Sequence, residues 1–349
     1  MLKKLLKDKL VFLSLFILVT LYLIAIFADF VSPYHYDDED IMYSWSPPMR
    51  IHFFDFSQKR IGPYIYKYQF KVDKYYQRRY YENKEEIYPL RFFVRGFKYK
   101  LLGLWESNIH LFGVEGSRIY IFGGDLKGRD IFSRLVYGAR ISLSIGLIGV
   151  TISFIIGMLI GGISGYFGGR VDNILMRLVE MMMMVPSFYL MLALRASFPP
   201  EMSSTQVYLL IVVILSLIGW ASIARVIRGM AISLRENEFI LSAKAIGLSN
   251  VKIILRHILP HTFSYALVAI FLSVPSYIIG EAALSLLGLG IQEPQPSWGN
   301  MFSSAQTIVD IQLYPWILIP GFFILLVTIC FNILGDTLRD ILDPKRRIF

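Results

Sequence analysis

Six stretches of this 349-residue chain are apolar enough, and nearly all long enough, to cross a lipid bilayer. Five of them contain no Asp, Glu, Lys or Arg: residues 10–28, 141–167, 207–224, 262–280 and 311–335. A membrane-spanning helix needs about 17–25 apolar residues. The sixth stretch, 181–194, is shorter, but it extends back through Arg177 and Glu180 to residue 174. The pattern predicts an all-α integral membrane protein with six transmembrane helices.

Composition agrees with a membrane protein that carries some water-exposed mass. Hydrophobic residues make up 55% of the chain and charged residues 17%, whereas about a quarter of a soluble domain is charged. That balance excludes a disordered chain. The single cysteine, Cys330, excludes an intramolecular disulfide framework.

The first apolar run follows four lysines, Lys3, Lys4, Lys7 and Lys9. A cleaved signal peptide has that charge pattern but an apolar core of about 7–15 residues. Because this run is longer, we expect an uncleaved membrane anchor, with a cleaved signal peptide as the alternative. The segment that follows is exported in either case.

Basic residues predict the orientation of the helices. Sixteen Lys and Arg residues fall in four short segments, 1–9, 168–178, 225–260 and 336–349, whereas the opposite loops 196–206 and 287–310 contain none. Short loops rich in Lys and Arg stay in the cytoplasm. Both termini and the 225–260 loop are therefore predicted to be cytoplasmic.

The long segment 32–140 is predicted to lie outside the membrane. It holds 18 basic and 13 acidic residues, and long segments are exported largely regardless of charge. Apolar and polar residues alternate over 64–72, which predicts a β-strand or hairpin within a small domain or elaborated loop. Its interleaved basic and aromatic residues also resemble a nucleic-acid surface, but an exported location argues against that partner.

These features divide the chain into four parts. We predict an N-terminus and first helix, an outer insertion with an amphipathic lead-in, a membrane core that contains the loop 225–260, and a cytoplasmic tail: residues 1–31, 32–140, 141–335 and 336–349.

The 225–260 loop has the pattern of a docking element. A short helix is predicted around 237–246 and ends at Gly247, Ser249 or Asn250 caps a second helix, and Pro260 marks a boundary. Three small side chains, Ser242, Ala243 and Ala245, would allow a partner to approach the first helix closely.

The same loop resembles the coupling motif of ABC-importer permeases, in which Glu-Ala-Ala, three residues and Gly precede a distant Leu-Pro. Ala243, Gly247, Leu259 and Pro260 match in register. Leu241 stands where the family has Glu, Ser242 stands at the first Ala, and His257 stands at a hydrophobic position.

Further motifs are similar to the second permease subunit of dipeptide and oligopeptide importers. They begin with a Gly-Thr-Asp-x-x-Gly-Arg-Asp signature, in which Gly124 replaces Thr, and end with Ser297-Trp298-Gly299. The resemblance covers the first span and residues 105–345. Between these motifs lie the segments 165–172, 185–187 and 281–290.

The resemblance implies a mechanism, a set of partners and a location in a bacterial or archaeal inner membrane. Two homologous permeases form a pore for peptides, two ATP-binding subunits bind beneath it, and an extracytoplasmic substrate-binding protein delivers the substrate. The 238–250 element and the Leu-Pro pair that follows it would couple this chain to an ATP-binding subunit. The residues concerned are Glu238, Ser242, Ala243, Ala245, Gly247, Leu259 and Pro260. This chain has no Gly-x-x-x-x-Gly-Lys-Ser/Thr loop, so ATP and Mg²⁺ are expected on the partner subunits, with no cofactor on this chain.

Three glycines in the second span, Gly157, Gly161 and Gly165, lie four residues apart. Small residues at this spacing let helices approach closely. The partner helix belongs either to this chain or to the second permease.

Four other residues are candidates for the pore or outer gate: Met183, Met184, Pro186 and Glu281. Flexible methionines suit varied ligands, although consecutive residues point all round a helix. Glu281 lies near the predicted outer end of its span, where an ionisable group has a structural or a gating role. Arg177 and Glu180, three residues apart, are predicted to pair.

Neither catalysis nor metal binding is expected. His257 and His261 are four residues apart, but Pro260 lies between them and no Glu follows His257. Two alternatives concern transport: import of a nickel chelate or an oligosaccharide by the same fold, and an ion-coupled secondary transporter. The second would require acidic residues at mid-membrane and internal repeats.

Overall fold

The structure, a computed structural model, describes residues 8–55, 60–199 and 201–342. The chain forms two compact units. Their ranges are Met1–Leu18, Leu143–Leu284 and Leu325–Phe349 for the first unit, and Val19–Ser142 and Ser285–Ile324 for the second. Several of the basic residues that predict cytoplasmic termini lie outside the described residues. They are the lysines and arginines at positions 3, 4, 7 and 345–347.

Helices make up most of the described chain. In chain order they are α1 (Lys9–Ile26), α2 (Ala28–Val31), α3 (Ile131–Phe167), α4 (Gly169–Met184), α5 (Ser187–Ala196), α6 (Ser204–Arg235), α7 (Glu238–Ala245), α8 (Asn250–Ile253), α9 (Leu259–Leu286), α10 (Trp298–Phe302), α11 (Ile308–Leu313) and α12 (Ile319–Leu342). A π-helical turn, Ile254–Ile258, joins α8 to α9, and short 3₁₀ turns occupy Ile41–Tyr43, Ser303–Ala305 and Pro315–Leu318.

Five helical segments among the described residues are long and apolar enough to span a membrane. They are Lys9–Ile26, Ile131–Phe167, Ser204–Arg235, Asn250–Leu286 and Pro315–Leu342, and each contains or largely overlaps one of the predicted uncharged runs. The second and fourth contain 37 residues, or about 55 Å of helix, which is longer than a bilayer core requires.

The sixth predicted span is a bent pair of helices rather than one straight helix. α4 and α5 meet at an angle of 85°. Pro186 has no N–H to continue the helix, and Val185 before it is extended, at φ −81° and ψ 124°. If the pair counts as one span, the described residues contain six spans, as predicted.

Buried polar contacts join three helices of the first unit. The hydroxyl groups of Ser153 on α3 and Tyr277 on α9 lie 2.5 Å apart, and Ser153 also donates to the carbonyl oxygen of Ser216 on α6 at 2.9 Å. A buried hydroxyl without such a partner would be costly, so these bonds position the helices. The helix α6 supplies many of the fully buried apolar side chains of the unit.

The second unit contains a four-stranded antiparallel sheet in sequence order. Its strands are β1 (His52–Asp55), β2 (Arg60–Val72), β3 (Arg78–Leu101) and β4 (Trp105–Val114). The first half of β3 pairs with β2 and the second half with β4, so two hairpins share one long strand. The strand predicted over 64–72 is confirmed.

Candidate functional site

The docking segment, defined as residues 238–250, consists of α7 and the turn after it. Glu238 lies in the first turn of α7, where a negative charge suits the helix dipole. Gly247 ends the helix at φ +82°. Its N–H donates to the carbonyl of Lys244 at 3.0 Å, and the N–H of Leu248 donates to that of Ala243 at 3.1 Å. These two bonds form a Schellman motif, which requires a residue in the left-handed region.

The helix α7 has one buried and one exposed face. Ile240 is fully buried and Ala243 is 5% exposed, and both pack in an apolar cluster with Tyr166 and Ile253. The sequence led us to expect that the three small residues share one accessible surface. The structure corrects this expectation. Ser242 and Ala245 are exposed, whereas Ala243 contacts this chain's own core.

Large apolar side chains surround the exposed small residues. Leu241 is 52% and Ile246 76% exposed, and the neighbouring turns expose Phe239, Val251 and Leu255. Monomeric soluble proteins rarely expose a contiguous patch of this kind unless it binds something. Leu241 occupies the position at which the family motif has Glu, so an apolar residue stands there in place of a carboxylate.

Polar contacts attach the docking segment to the end of α3. The ammonium group of Lys244 lies 4.9 Å from the centre of the Tyr166 ring, and the Tyr166 hydroxyl donates to Oδ1 of Asn250 at 2.8 Å. The middle of the segment and its C-terminal end thus contact one tyrosine. These contacts join the segment to the last residues of α3.

The predicted boundary at Pro260 is wrong, because the helix continues through this residue. The π-helical turn Ile254–Ile258 precedes Leu259 and leads directly into α9. Pro260 cannot donate a backbone hydrogen bond, and a π-helical turn lets a helix absorb such an irregularity. Leu259 packs inward against two apolar clusters, and Pro260 is exposed.

Substitutions of Gly247 test the backbone requirement. A Cβ at this position would have no neighbour within 4 Å, so only the backbone conformation opposes a side chain. We expect Gly247→Asn to be tolerated, and Gly247→Ala to cost about 1 kcal/mol. Gly247→Val should cost more, since β-branched residues avoid positive φ. Transport and thermal stability of the three variants should follow that order. Equal transport by all three would contradict the account.

The glycines of the second span pack against a helix of the same chain. A Cβ on Gly161 would lie 2.4 Å from the carbonyl oxygen of Ala224, and one on Gly165 would lie 2.5 Å from that of Arg228. Gly157 has the same relation to Trp220, at 2.8 Å. The three glycines thus form the contact between α3 and α6, which favours the first of the two partners left open by the sequence.

Gly161→Ala is expected to destabilise the chain by about 1–3 kcal/mol, because backbone atoms cannot move aside as side chains do. The control is Gly229→Ala on α6, where an added Cβ would meet nothing within 4 Å. That change should be neutral or stabilising, since alanine favours helices over glycine by about 1 kcal/mol. Thermal unfolding in detergent measures both, and similar shifts would refute the close helix contact.

The candidate gate residues lie in different environments. Met183 is 42% and Met184 81% exposed at the end of α4, and Pro186 begins the bent helix α5. Glu281 is fully buried in the last turns of α9. The structure does not bring these four residues into one described cavity, and their roles stay predictions.

An ion pair between α4 and α6 escaped the sequence analysis. Asp172 accepts two hydrogen bonds from Arg228, from Nε at 2.6 Å and from Nη2 at 2.5 Å, and a third from the Ser164 hydroxyl at 2.5 Å. The side chain of Asp172 is 12% exposed. Asp172 was noted as part of the motif 165–172, but its partner Arg228 lies 56 residues away, so no local pattern links the two. The predicted pair Arg177–Glu180 is also present, at 3.0 Å on the surface.

A second charged cluster lies in the other unit, within the motif around 124–130. The nearly buried Arg129 donates to both oxygens of Glu293, at 3.2 and 2.6 Å, and to Asp125 at 2.7 Å. Burial disfavours the charged form of both groups, but their hydrogen bonds and opposite charges favour it more strongly. The pKa of Arg129 is therefore raised and the pKa of Glu293 is lowered.

Asp130 follows in sequence and caps α3. It accepts hydrogen bonds from the Ser133 N–H at 2.8 Å and from the Ser133 hydroxyl at 2.7 Å. Complete burial raises the pKa of Asp130 to about 7 despite these bonds. The motif therefore fixes the start of a long span.

The two histidines of the loop contact an aromatic ring and the backbone. Nδ1 of His261 lies 2.6 Å from the carbonyl oxygen of His257, and the His261 ring stacks on Phe239 at 4.9 Å. Phe239 is an exposed residue of the docking segment, so the ring of His261 packs against that segment.

Comparison with known families matches two parts of the chain. The family described as binding-protein-dependent transport system inner membrane component matches residues 157–348, more than half of the chain. The N-terminal transmembrane domain of oligopeptide transport permease C matches residues 1–48. The sheet lies between the two matches.

Several relatives are similar to this chain over the same share of its length. The dipeptide transport system permease protein of Alkalihalophilus pseudofirmus is 43% identical over 227 residues, which are 65% of this chain and 72% of the relative. The corresponding Bacillus subtilis protein is 39% identical over 226 residues, 65% and 69% of the two chains. The oligopeptide transport system permease protein of Haemophilus influenzae is 41% identical over 229 residues, 65% and 71% of the two chains. This chain therefore belongs to the family of binding-protein-dependent transport system inner membrane components.

Proposed function

We propose that this chain is a permease subunit of an ATP-driven importer and forms half of the pore through which peptides enter the cell. The observation that carries the proposal is the similarity, at about 40% identity, to permeases named for dipeptide and oligopeptide transport. The helical core and the family match over 157–348 support it. A second permease subunit supplies the other half of the pore.

In this proposal the docking segment contacts an ATP-hydrolysing subunit. The exposed apolar side chains of Leu241 and Ile246 flank the small residue Ala245, so a complementary cleft can reach the backbone of α7. Closure of two ATP-binding subunits then moves the segment, and its contacts with Tyr166 transmit the movement to α3.

The orientation follows from charge. Six basic residues lie in 225–260, and none lies in the loops 196–206 and 287–310. The docking segment and both termini are therefore assigned to the cytoplasm, and the sheet to the opposite side, where a substrate-binding protein delivers the peptide. ATP and Mg²⁺ bind to the partner subunits, and this chain binds no cofactor.

Uptake in proteoliposomes tests the proposal. The complex of both permeases and the ATP-binding subunits is reconstituted with ATP inside, and the binding protein and radiolabelled di- to pentapeptides are added outside. Uptake should require both ATP and the binding protein. A proton or sodium gradient should not replace ATP.

Two results would overturn the proposal in distinguishable ways. Uptake driven by an ion gradient without ATP would indicate a secondary transporter. ATP-dependent uptake of a nickel chelate or an oligosaccharide, with no competition by peptides, would preserve the importer and change its substrate.

A further inference from the structure

The β3–β4 hairpin exposes apolar side chains at its tip. Leu102 is 53%, Leu104 72% and Trp105 64% exposed, and all three lie within four consecutive residues. Nearer the base of the hairpin, Phe92 and Phe93 on β3 are 65% and 66% exposed. Exposed aromatic and leucine side chains in this number indicate an interaction surface. The hairpin lies between the two family matches, so neither accounts for it.

The base of the hairpin lies beside the end of a membrane span. The ring of Phe93 is 6.3 Å from that of Phe30, which lies on α2 immediately after the spanning helix α1. Arg140 on α3 also lies beside the end of α1. Its guanidinium donates to the carbonyl oxygen of Ala25 at 3.0 Å and pairs with Asp29 at 2.9 Å. The uncharged part of α3 begins at the next residue. The exposed Phe93 is thus next to the place where two helices leave the bilayer.

The charges of the hairpin also suit a lipid surface. Residues 91–106 contain four basic side chains and one acid. Lys98 and Lys100 stand just before the apolar tip. Lys100 and Glu106 form an ion pair at 3.6 Å in which both side chains are exposed. Such exposed pairs are weak, so the ammonium group of Lys100 can still bind a lipid phosphate. Lysine beside tryptophan and leucine is the composition of segments that lie at the membrane interface, with the ammonium groups near lipid phosphates.

We propose that the β3–β4 hairpin lies on the outer surface of the lipid bilayer, with Leu102, Leu104 and Trp105 inserted among the headgroups. Its strands satisfy each other's backbone hydrogen bonds, so only the tip needs to enter, to about 5–10 Å. Deeper insertion is excluded because hydrocarbon does not tolerate the open backbone of a turn. The partner is phospholipid rather than a protein, because Phe93 at the base of the hairpin lies beside Phe30, directly after the spanning helix α1, and the lysines before the tip suit lipid phosphates.

Site-directed spin labelling tests this proposal in nanodiscs that contain phosphatidylglycerol and phosphatidylcholine. The full chain carries Cys330→Ala, which removes its one buried thiol, and Leu104→Cys for the nitroxide. The matched control is Tyr76→Cys at the tip of the β2–β3 hairpin, a residue 91% exposed in the same unit. Collision rates with oxygen, which partitions into lipid, and with a water-soluble nickel chelate are measured for both labels.

We expect the ratio of oxygen to nickel accessibility to be several-fold higher at position 104 than at 76. Equal ratios would place the tip in water and overturn the proposal. An immobilised label at 104 that is shielded from both reagents would indicate a protein partner and would overturn it as well. Brominated lipids give an independent measurement, since they should quench wild-type fluorescence more than that of Trp105→Phe.

Discussion

Ala245→Arg is expected to reduce coupled transport at least tenfold while the chain remains folded. Ala245 is exposed on α7, so the long side chain would project outward and disturb little inside this chain. It would instead keep a partner from approaching the helix backbone, and a misfit at the centre of an interface costs several kilocalories per mole. Peptide uptake and stimulated ATP hydrolysis are the measurements.

The control for this prediction is Thr205→Arg, an exposed position at the other end of α6. It should leave uptake nearly unchanged. Ala243→Arg would be a less informative test, because Ala243 is buried and an arginine there would disrupt the apolar cluster around Ile240. Full transport by Ala245→Arg with normal thermal stability would show that the exposed face of α7 is not the docking surface.

Arg228→Met should destabilise the chain by about 3–5 kcal/mol, because it leaves the nearly buried Asp172 charged and without its counter-ion. We expect little protein in the membrane and a large drop in the melting temperature of what remains. The double variant Asp172→Leu with Arg228→Met removes both charges and should recover most of the loss.

Arg177→Met is the matched control, since it breaks another pair of an arginine and a carboxylate, on the surface. Its partner Glu180 is three residues away, and the arginine side chain is 81% exposed. The expected change is below about 1 kcal/mol. Equal destabilisation by Arg177→Met and Arg228→Met would mean that the pair between α4 and α6 has no special structural role.

The sequence predicted those parts of the fold that depend on local pattern. Uncharged runs predicted five spans, alternation predicted the strand β2, and Gly247 predicted the end of α7. Each of these features is determined by a few neighbouring residues and their periodicity. The family motif predicted where the docking segment lies along the chain.

Features that depend on distant residues were not predictable in this way. The bond between Asp172 and Arg228 joins residues 56 apart, and the burial of Ala243 depends on Ile253 and Tyr166. The 85° bend at Pro186 had a local signal, but the interpretation of 174–194 as one span did not use it. The continuity of the helix through Pro260 also had no sequence signal, because a π-helical turn compensates for the missing N–H.

Photocrosslinking from Ile246 tests the central claim most directly. Ile246 is 76% exposed beside Ala245, so benzoylphenylalanine can replace it without disturbing the core. Tyr76, at the tip of the β2–β3 hairpin, provides the control position. The account predicts that position 246 forms an adduct with the ATP-hydrolysing subunit in intact cells and that position 76 does not. An adduct between position 246 and the external binding protein would contradict it.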